Sequence, residues 1–195
     1  MTAKIVEKVA KEQYLVLPGD RNWQQFKAIE ALMSEVPGLR ISYLDGCIEF
    51  RTISEQHELI KKAIAILLEA YFFYLKIEYI PVGSATRASE AKSASFEPDE
   101  SYYLHEKKEY LDLALEVVIS SGSSKKLEKY KRFNISEVWF WENNQLFLYR
   151  LRDDNYELIS RSELLPELNI DLLARCALLP SRLEAMTQFM AGITQ

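Results

Sequence analysis

The stretch LDLALEVVI, Leu111 to Ile119, constrains the fold of this chain more than any other segment, because it is apolar at nearly every position. A strand with one solvated face alternates apolar and polar residues, so an almost unbroken apolar run predicts a strand covered on both faces. Such a strand lies inside a sheet with helices packed against it, which is an α/β arrangement. Within the run stands Glu116. An ionised carboxylate in a buried strand is tolerated only when it is paired or bound to a cation, so one segment supplies both the architecture and the first candidate site residue.

The rest of the chain provides the covering elements. From Asn22 to Met33 the residues Trp23, Phe26, Ile29, Leu32 and Met33 recur at helical spacing, and Pro37 and Gly38 end the helix. ISYLDGCIEF reads as strand, turn, strand about Asp45-Gly46. From Ser54, a good N-cap, to near Lys76 the stripe Ile60, Ile64, Leu67, Leu68, Tyr71 and Leu75 predicts the longest helix. EYIPVGSAT and FEPDESYYL read as one strand each, SSGSS leads into a helix over Lys125 to Phe133, and EVWFWE and QLFLYRL form a second hairpin about Asn143-Asn144. A helix over 180–194 carries Leu183, Met186, Phe189, Met190 and Ile193. It is expected to pack on the body, with a homodimer contact as the alternative. A chain of 195 residues suits one domain, with its core over 22–173.

Charge and composition exclude several classes. A net charge of −5 argues against a protein that grips nucleic acid through general basicity, so any such contact must be local. The densest basic stretch is Lys125, Lys126, Lys129, Lys131 and Arg132, whose default reading is a solvated helix face. No apolar run reaches the roughly 18–20 residues of a membrane span and the start lacks a signal peptide's apolar stretch, which predicts a cytoplasmic location. Cys47 and Cys176 stand far apart without a metal-ligand spacing, so zinc and disulfides are not indicated.

Asp99 follows Pro98, and proline in a sheet favours a strand start or edge, where an acid can open toward a cleft. Asp99 and Glu116 can converge on one hard cation, Mg²⁺ or Mn²⁺, which takes one or two carboxylates plus waters and phosphate oxygens. Two like charges so placed should raise the pKa of one of them. Neutralising Glu116 is then expected to leave the metal-free protein equally or more stable.

The stretches YLDGCIEF, SEQHELI, FEPDESYYL, LALEVV, KKLEKY and SEVWFWENNQLFLYRL, in that order and spacing, resemble the Uma-two family. This bacterial group, abundant in cyanobacteria, is placed in the PD-(D/E)XK nuclease superfamily. The similarity runs from about Asn22 to about Leu173. It implies a restriction-endonuclease-like fold, a mixed central sheet flanked by helices, with a metal site at the sheet's opening. By resemblance Asp99 matches the aspartate of the PD element and Glu116 the acid of the (D/E)XK element. The chain departs from the family pattern in two places. Ile119 and Ser120 stand where members have Ser-Pro, and Cys47 stands where many carry an acid after the Asp-Gly turn.

In the usual motif the lysine stands two residues after the acid, and here that position is Val118. A helix starting near Lys125 offers a substitute. Leu127, Tyr130 and Phe133 define its apolar face, Lys126 falls inside that arc, and Lys125 and Lys129 fall outside it. Lys126 is therefore the candidate cation, and the family's lysine in this helix falls on it too. The bland alternative is a lysine that snorkels to water. His57 lies on the same stripe as Ile60 and Ile64, where a core or cap role is the default, although a histidine recurs there in the family. Glu58 should face solvent or a rim, and His105 should be exposed. Asp45 is explained by its turn, Glu49 by a solvated strand face, and Trp139, Phe140 and Trp141 by core packing.

These residues predict a Mg²⁺- or Mn²⁺-dependent phosphodiesterase acting on DNA, with Asp99, Glu116, Lys126 and His57 as its site. The alternative is a nuclease fold that no longer cleaves and serves as a binding or assembly module. A glycosidase using the two carboxylates as acid and base is a third, weaker reading.

Overall fold

Asp99 lies where the chain passes from one β-sheet to another. The structure is a computed structural model that describes residues 12–119 and 126–194. In chain order the elements are β1 (Tyr14–Leu17), α1 (Trp23–Met33), β2 (Leu39–Leu44), β3 (Cys47–Thr52), α2 (Glu55–Leu75), β4 (Tyr79–Pro81), β5 (Arg87–Ser89) and β6 (Ala94–Phe96). There follow β7 (Glu100–Leu104), β8 (Leu113–Val118), α3 (Leu127–Arg132), β9 (Glu137–Glu142), β10 (Gln145–Arg152), β11 (Asn155–Ile159), α4 (Ile170–Ala177) and α5 (Arg182–Ile193).

The strands form a five-stranded sheet in the order β1-β3-β2-β6-β5 and a six-stranded sheet in the order β11-β10-β9-β8-β7-β4. All pairs of the first sheet are antiparallel, and in the second β8 and β9 are parallel while their outer neighbours are antiparallel. β8 is buried at every position, as its apolar run requires, because both faces are covered. One face packs through Leu113, Leu115, Val117, Trp139 and Trp141 against α2, α4 and α5. The other packs through Ala114, Val138 and Phe140 against Tyr130 of α3 and Phe96 of β6. α1 covers the first sheet through Phe26, Tyr43 and Ile48.

Local chemistry accounts for the boundaries. Asn22 caps α1 in a reciprocal capping box with Gln25, and the Ser54 hydroxyl accepts from the His57 N–H at the start of α2. The hairpin turn places Asp45 at φ 46° and Gly46 at φ 87°, the conformation that an Asp-Gly pair supplies. α5 buries Ala185 and Phe189 against α2 and α4, so it packs on the body. Among the described residues no helix is long and apolar enough to cross a membrane.

The architecture is mixed α/β with a C-terminal helix, as the sequence predicts, and the structure refines it at several points. EYIPVGSAT is two strands, β4 and β5, in different sheets. FEPDESYYL divides in the same way, with β6 in the first sheet, β7 in the second and Glu97-Pro98-Asp99 between them. Pro98 has no N–H to give a ladder, so the strand breaks there. β1, β11 and α4 are elements that the periodicity did not signal, the two strands being short or largely exposed. The helix expected over Lys125 to Phe133 spans Leu127–Arg132, with Lys126 at its N-cap. The SSGSS turn and Lys125 lie outside the described residues.

Candidate functional site

The Asp-Gly turn fixes the register of the β2–β3 hairpin, with Leu44 opposite Cys47, Ser42 opposite Glu49 and Arg40 opposite Arg51. Alternation then puts Arg40, Ser42, Glu49 and Arg51 on one face. Two arginines directly across a ladder repel each other unless acids meet them. The acids come from the second sheet, because the break at Pro98 sets Asp99 beside β8, where its N–H donates to the Leu115 carbonyl at 3.1 Å.

Asp99 is fully buried. Its Oδ2 accepts from the Val117 N–H at 2.7 Å, and its Oδ1 lies 3.1 Å from Arg40 Nη1, 3.3 Å from Arg51 Nη2 and 3.0 Å from His57 Nε2. Glu116 is 4 % exposed. Its Oε1 lies 2.8 Å from Lys126 Nζ and 3.1 Å from Arg51 Nη1, and its Oε2 accepts from the Tyr130 hydroxyl at 2.8 Å. Arg51 thus spans the two carboxylates, and its Nη1 also donates to the Val117 carbonyl at 3.2 Å. The structure brings together Asp99, Glu116, Lys126 and His57, and adds Arg40 and Arg51, which sequence reading missed.

Charge states follow from these neighbours. Burial alone would push the Glu116 carboxyl up, but Lys126 and Arg51 more than reverse this and hold it well below the usual carboxylate range. For Glu116 this runs against the expectation of like-charge repulsion, because Arg40, Arg51 and Lys126 face the pair. Burial lowers Arg51, yet Glu116 and Asp99 leave it raised, so it remains charged. His57 is fully buried, with Nδ1 2.9 Å from Glu12 Oε1. Its two ring nitrogens thus lie between the Asp99 and Glu12 carboxylates. Burial pulls the imidazole down, and Asp99 and Glu12 outweigh it, so the pKa is raised.

Two expectations are corrected. Lys129, placed outside the apolar arc of its helix, is only 4 % exposed, with its Nζ 2.6 Å from Ser42 Oγ and paired with Glu49. Glu49, expected to be solvated, is half-buried in that pair, and Lys129 holds its carboxyl low against the opposing effect of burial. Both errors have one cause. The face of β3 that looked like solvent is covered by α3, and the charged residues line the cleft between the sheets. Lys126 reaches Glu116 from the N-cap of α3 rather than from a helical face. His105 is exposed, and Glu58 is a half-exposed partner of Lys61.

The donor chemistry of Asp99 and Glu116 is that of a hard cation, all carboxylate oxygen. All four oxygens are already engaged, and among the described residues no group of three or more acids, histidines or cysteines is arranged to hold a metal. With Arg51 between them, the two carboxylates do not fit a divalent ion. The cleft is lined by the basic side chains Arg40, Arg51, Lys126 and Lys129 and by the acids Glu49, Glu97 and Glu116. The family model Uma2, described as "Putative restriction endonuclease", matches residues 23–179 of the chain. No curated protein matches it.

Proposed function

The chain belongs to the Uma2 family, and from that premise we propose that it is a nuclease that hydrolyses phosphodiester bonds of DNA in the cleft above Asp99 and Glu116. The observation that carries the reading is the convergence of acid, acid and cation from separate elements, with Lys126 Nζ 2.8 Å from Glu116 and Arg51 joining Glu116 to Asp99. Arg40 at the same cleft suits the phosphate backbone, where such groups supply most of the affinity. Asp99 holds Arg40 and Glu116 holds Lys126 in place before substrate arrives. Lys126 is then the group that stabilises charge developing on the scissile phosphate, and a preordered cation does so without the cost of reorganisation. His57, buried behind Asp99, is a positioning residue. Dependence on Mg²⁺ or Mn²⁺ is the finer part of this reading. The family supports it and the donor arrangement does not.

Incubating the pure chain with plasmid and single-stranded DNA in Mg²⁺, Mn²⁺ or EDTA tests both parts. Nicking or linearisation that Glu116→Gln and Lys126→Ala lose is the expected result, with Lys131→Ala as the control, since Lys129 lines the cleft itself. Cleavage surviving both substitutions would remove the site, and equal cleavage in EDTA would remove the metal. A second reading, a nuclease fold that binds without cutting, is favoured by one observation: the Arg51 bridge saturates both acids. DNA retention without cleavage in all three conditions would establish it.

A further inference from the structure

Arg51 occupies the ground between Asp99 and Glu116 from a buried position on β3, with one prong of its guanidinium on each acid. The Val117 carbonyl takes a further donation from the prong facing Glu116, so the group is tied to three acceptors. A guanidinium is planar, presents its donors as a fixed fork and stays charged throughout the pH range in which proteins fold. A divalent ion shared by the two acids would need the same oxygens that the guanidinium now engages. Charge gives the same answer. Arg40 also lies on Asp99 and Lys126 on Glu116, so two carboxylates already face three basic side chains. A divalent ion would add its charge to a buried site whose two acids are already paired.

We infer that the Arg51 guanidinium is the resident cation of the Asp99–Glu116 pair, so that the free chain takes up no Mg²⁺ or Mn²⁺ there. The other two cations do not bridge the acids. Arg40 also donates to the Pro98 carbonyl at 3.2 Å and lies 3.9 Å from Glu97, so it has partners outside the pair. Lys126 carries its charge on a flexible stem. The inference rests on the geometry of the pair and not on cleavage of DNA.

The test uses the whole chain without nucleic acid, and follows thermal unfolding and calorimetric titration with millimolar Mn²⁺ for the parent and Glu116→Gln. The parent is expected to give no binding heat and the same melting temperature in Mn²⁺ as in EDTA, as is Glu116→Gln. Binding heat or a raised melting temperature in the parent that Glu116→Gln abolishes would overturn the inference. The paramagnetic resonance of Mn²⁺ mixed with the parent gives a second readout. An unchanged free-ion signal upholds the inference, and a bound signal that Glu116→Gln abolishes defeats it. A chain that cuts no DNA leaves this result untouched, and a parent that binds Mn²⁺ leaves the nuclease reading standing.

Discussion

Glu116 and Glu137 stand on the parallel neighbours β8 and β9, both buried, yet their carboxylates are held in opposite ways. Glu137 sits in a cradle of neutral donors. Its Oε1 accepts from the Glu163 N–H at 2.8 Å and the Leu164 N–H at 3.1 Å, and its Oε2 from the Ser162 hydroxyl at 2.8 Å and the Trp139 indole at 2.9 Å. The nearest cation, Arg150, lies 3.8 Å away. This is an acid that pins the segment after β11 to the start of β9, and its acceptor oxygens are taken up in doing so. Glu116 instead faces Lys126 and Arg51 at the wall of a cleft. A buried acid is therefore not by itself a sign of chemistry. What separates the two is whether mobile-stemmed cations and an approach for substrate accompany it.

The widest separation between the two acids should appear in cleavage. Glu116→Gln and Lys126→Ala are each expected to lower the rate at least about 100-fold, the scale of removing one preorganised charge-stabilising group. Glu137→Gln should leave the rate per folded molecule unchanged, and rates normalised to the folded fraction would show whether the comparison holds. Next comes stability. Glu116→Gln leaves Arg51 and Lys126 facing one lost charge and should cost about 3 kcal/mol in urea unfolding. Adding Lys126→Met should return part of that loss. Glu137→Gln should cost about 2 kcal/mol, since an amide nitrogen now meets a donor, and no cation removal should restore it.

The effect of pH is smaller and distinguishes the acids by their partners. His57 is raised above its ordinary 6.5 through Asp99 and Glu12, against the pull of burial. The stability it contributes is complete below about pH 6.5 and is lost as pH rises through the elevated folded value. Glu116 is depressed below its ordinary 4.5, so its contribution is present above about pH 4.5 and is lost as pH falls. Denaturation midpoints across pH should flatten on the alkaline side in His57→Gln and on the acid side in Glu116→Gln. The smallest effect belongs to Arg150→Ala, which should change stability by less than about 1 kcal/mol, because neutral donors already satisfy Glu137. A larger loss would show that Glu137 is an ion-paired acid after all and would collapse the contrast.

Much of this was legible from periodicity and turn chemistry. The unbroken apolar run of β8 shows itself because both faces are covered, and the stripe of α2 and the Asp45-Gly46 turn are equally direct. Asp99 and Glu116 were legible as acids in costly places. Arg40 and Arg51 were not found, although a signal existed. The Asp-Gly turn dictates that they stand opposite each other, and two opposed arginines demand acids. The alternation of β3 was read as solvent on one side because no local rule says that a second sheet and α3 will cover it. Lys129 and Glu49 were misplaced for that reason, and Glu137 went unremarked because most of its cradle is made by the distant segment Ser162, Glu163 and Leu164.

The charged face of the β2–β3 hairpin also guards against misfolding. Ile48 and Tyr43 pack under α1, while Arg40, Ser42, Glu49 and Arg51 point the other way. A slip of one residue in pairing would turn a strand over, driving Arg51 or Arg40 into the apolar layer beneath Phe26 and leaving Asp99 and Glu116 buried without their guanidinium partner. The native register is the one that satisfies both layers at once, so the same ion contacts that shape the cleft also proofread the hairpin that carries them.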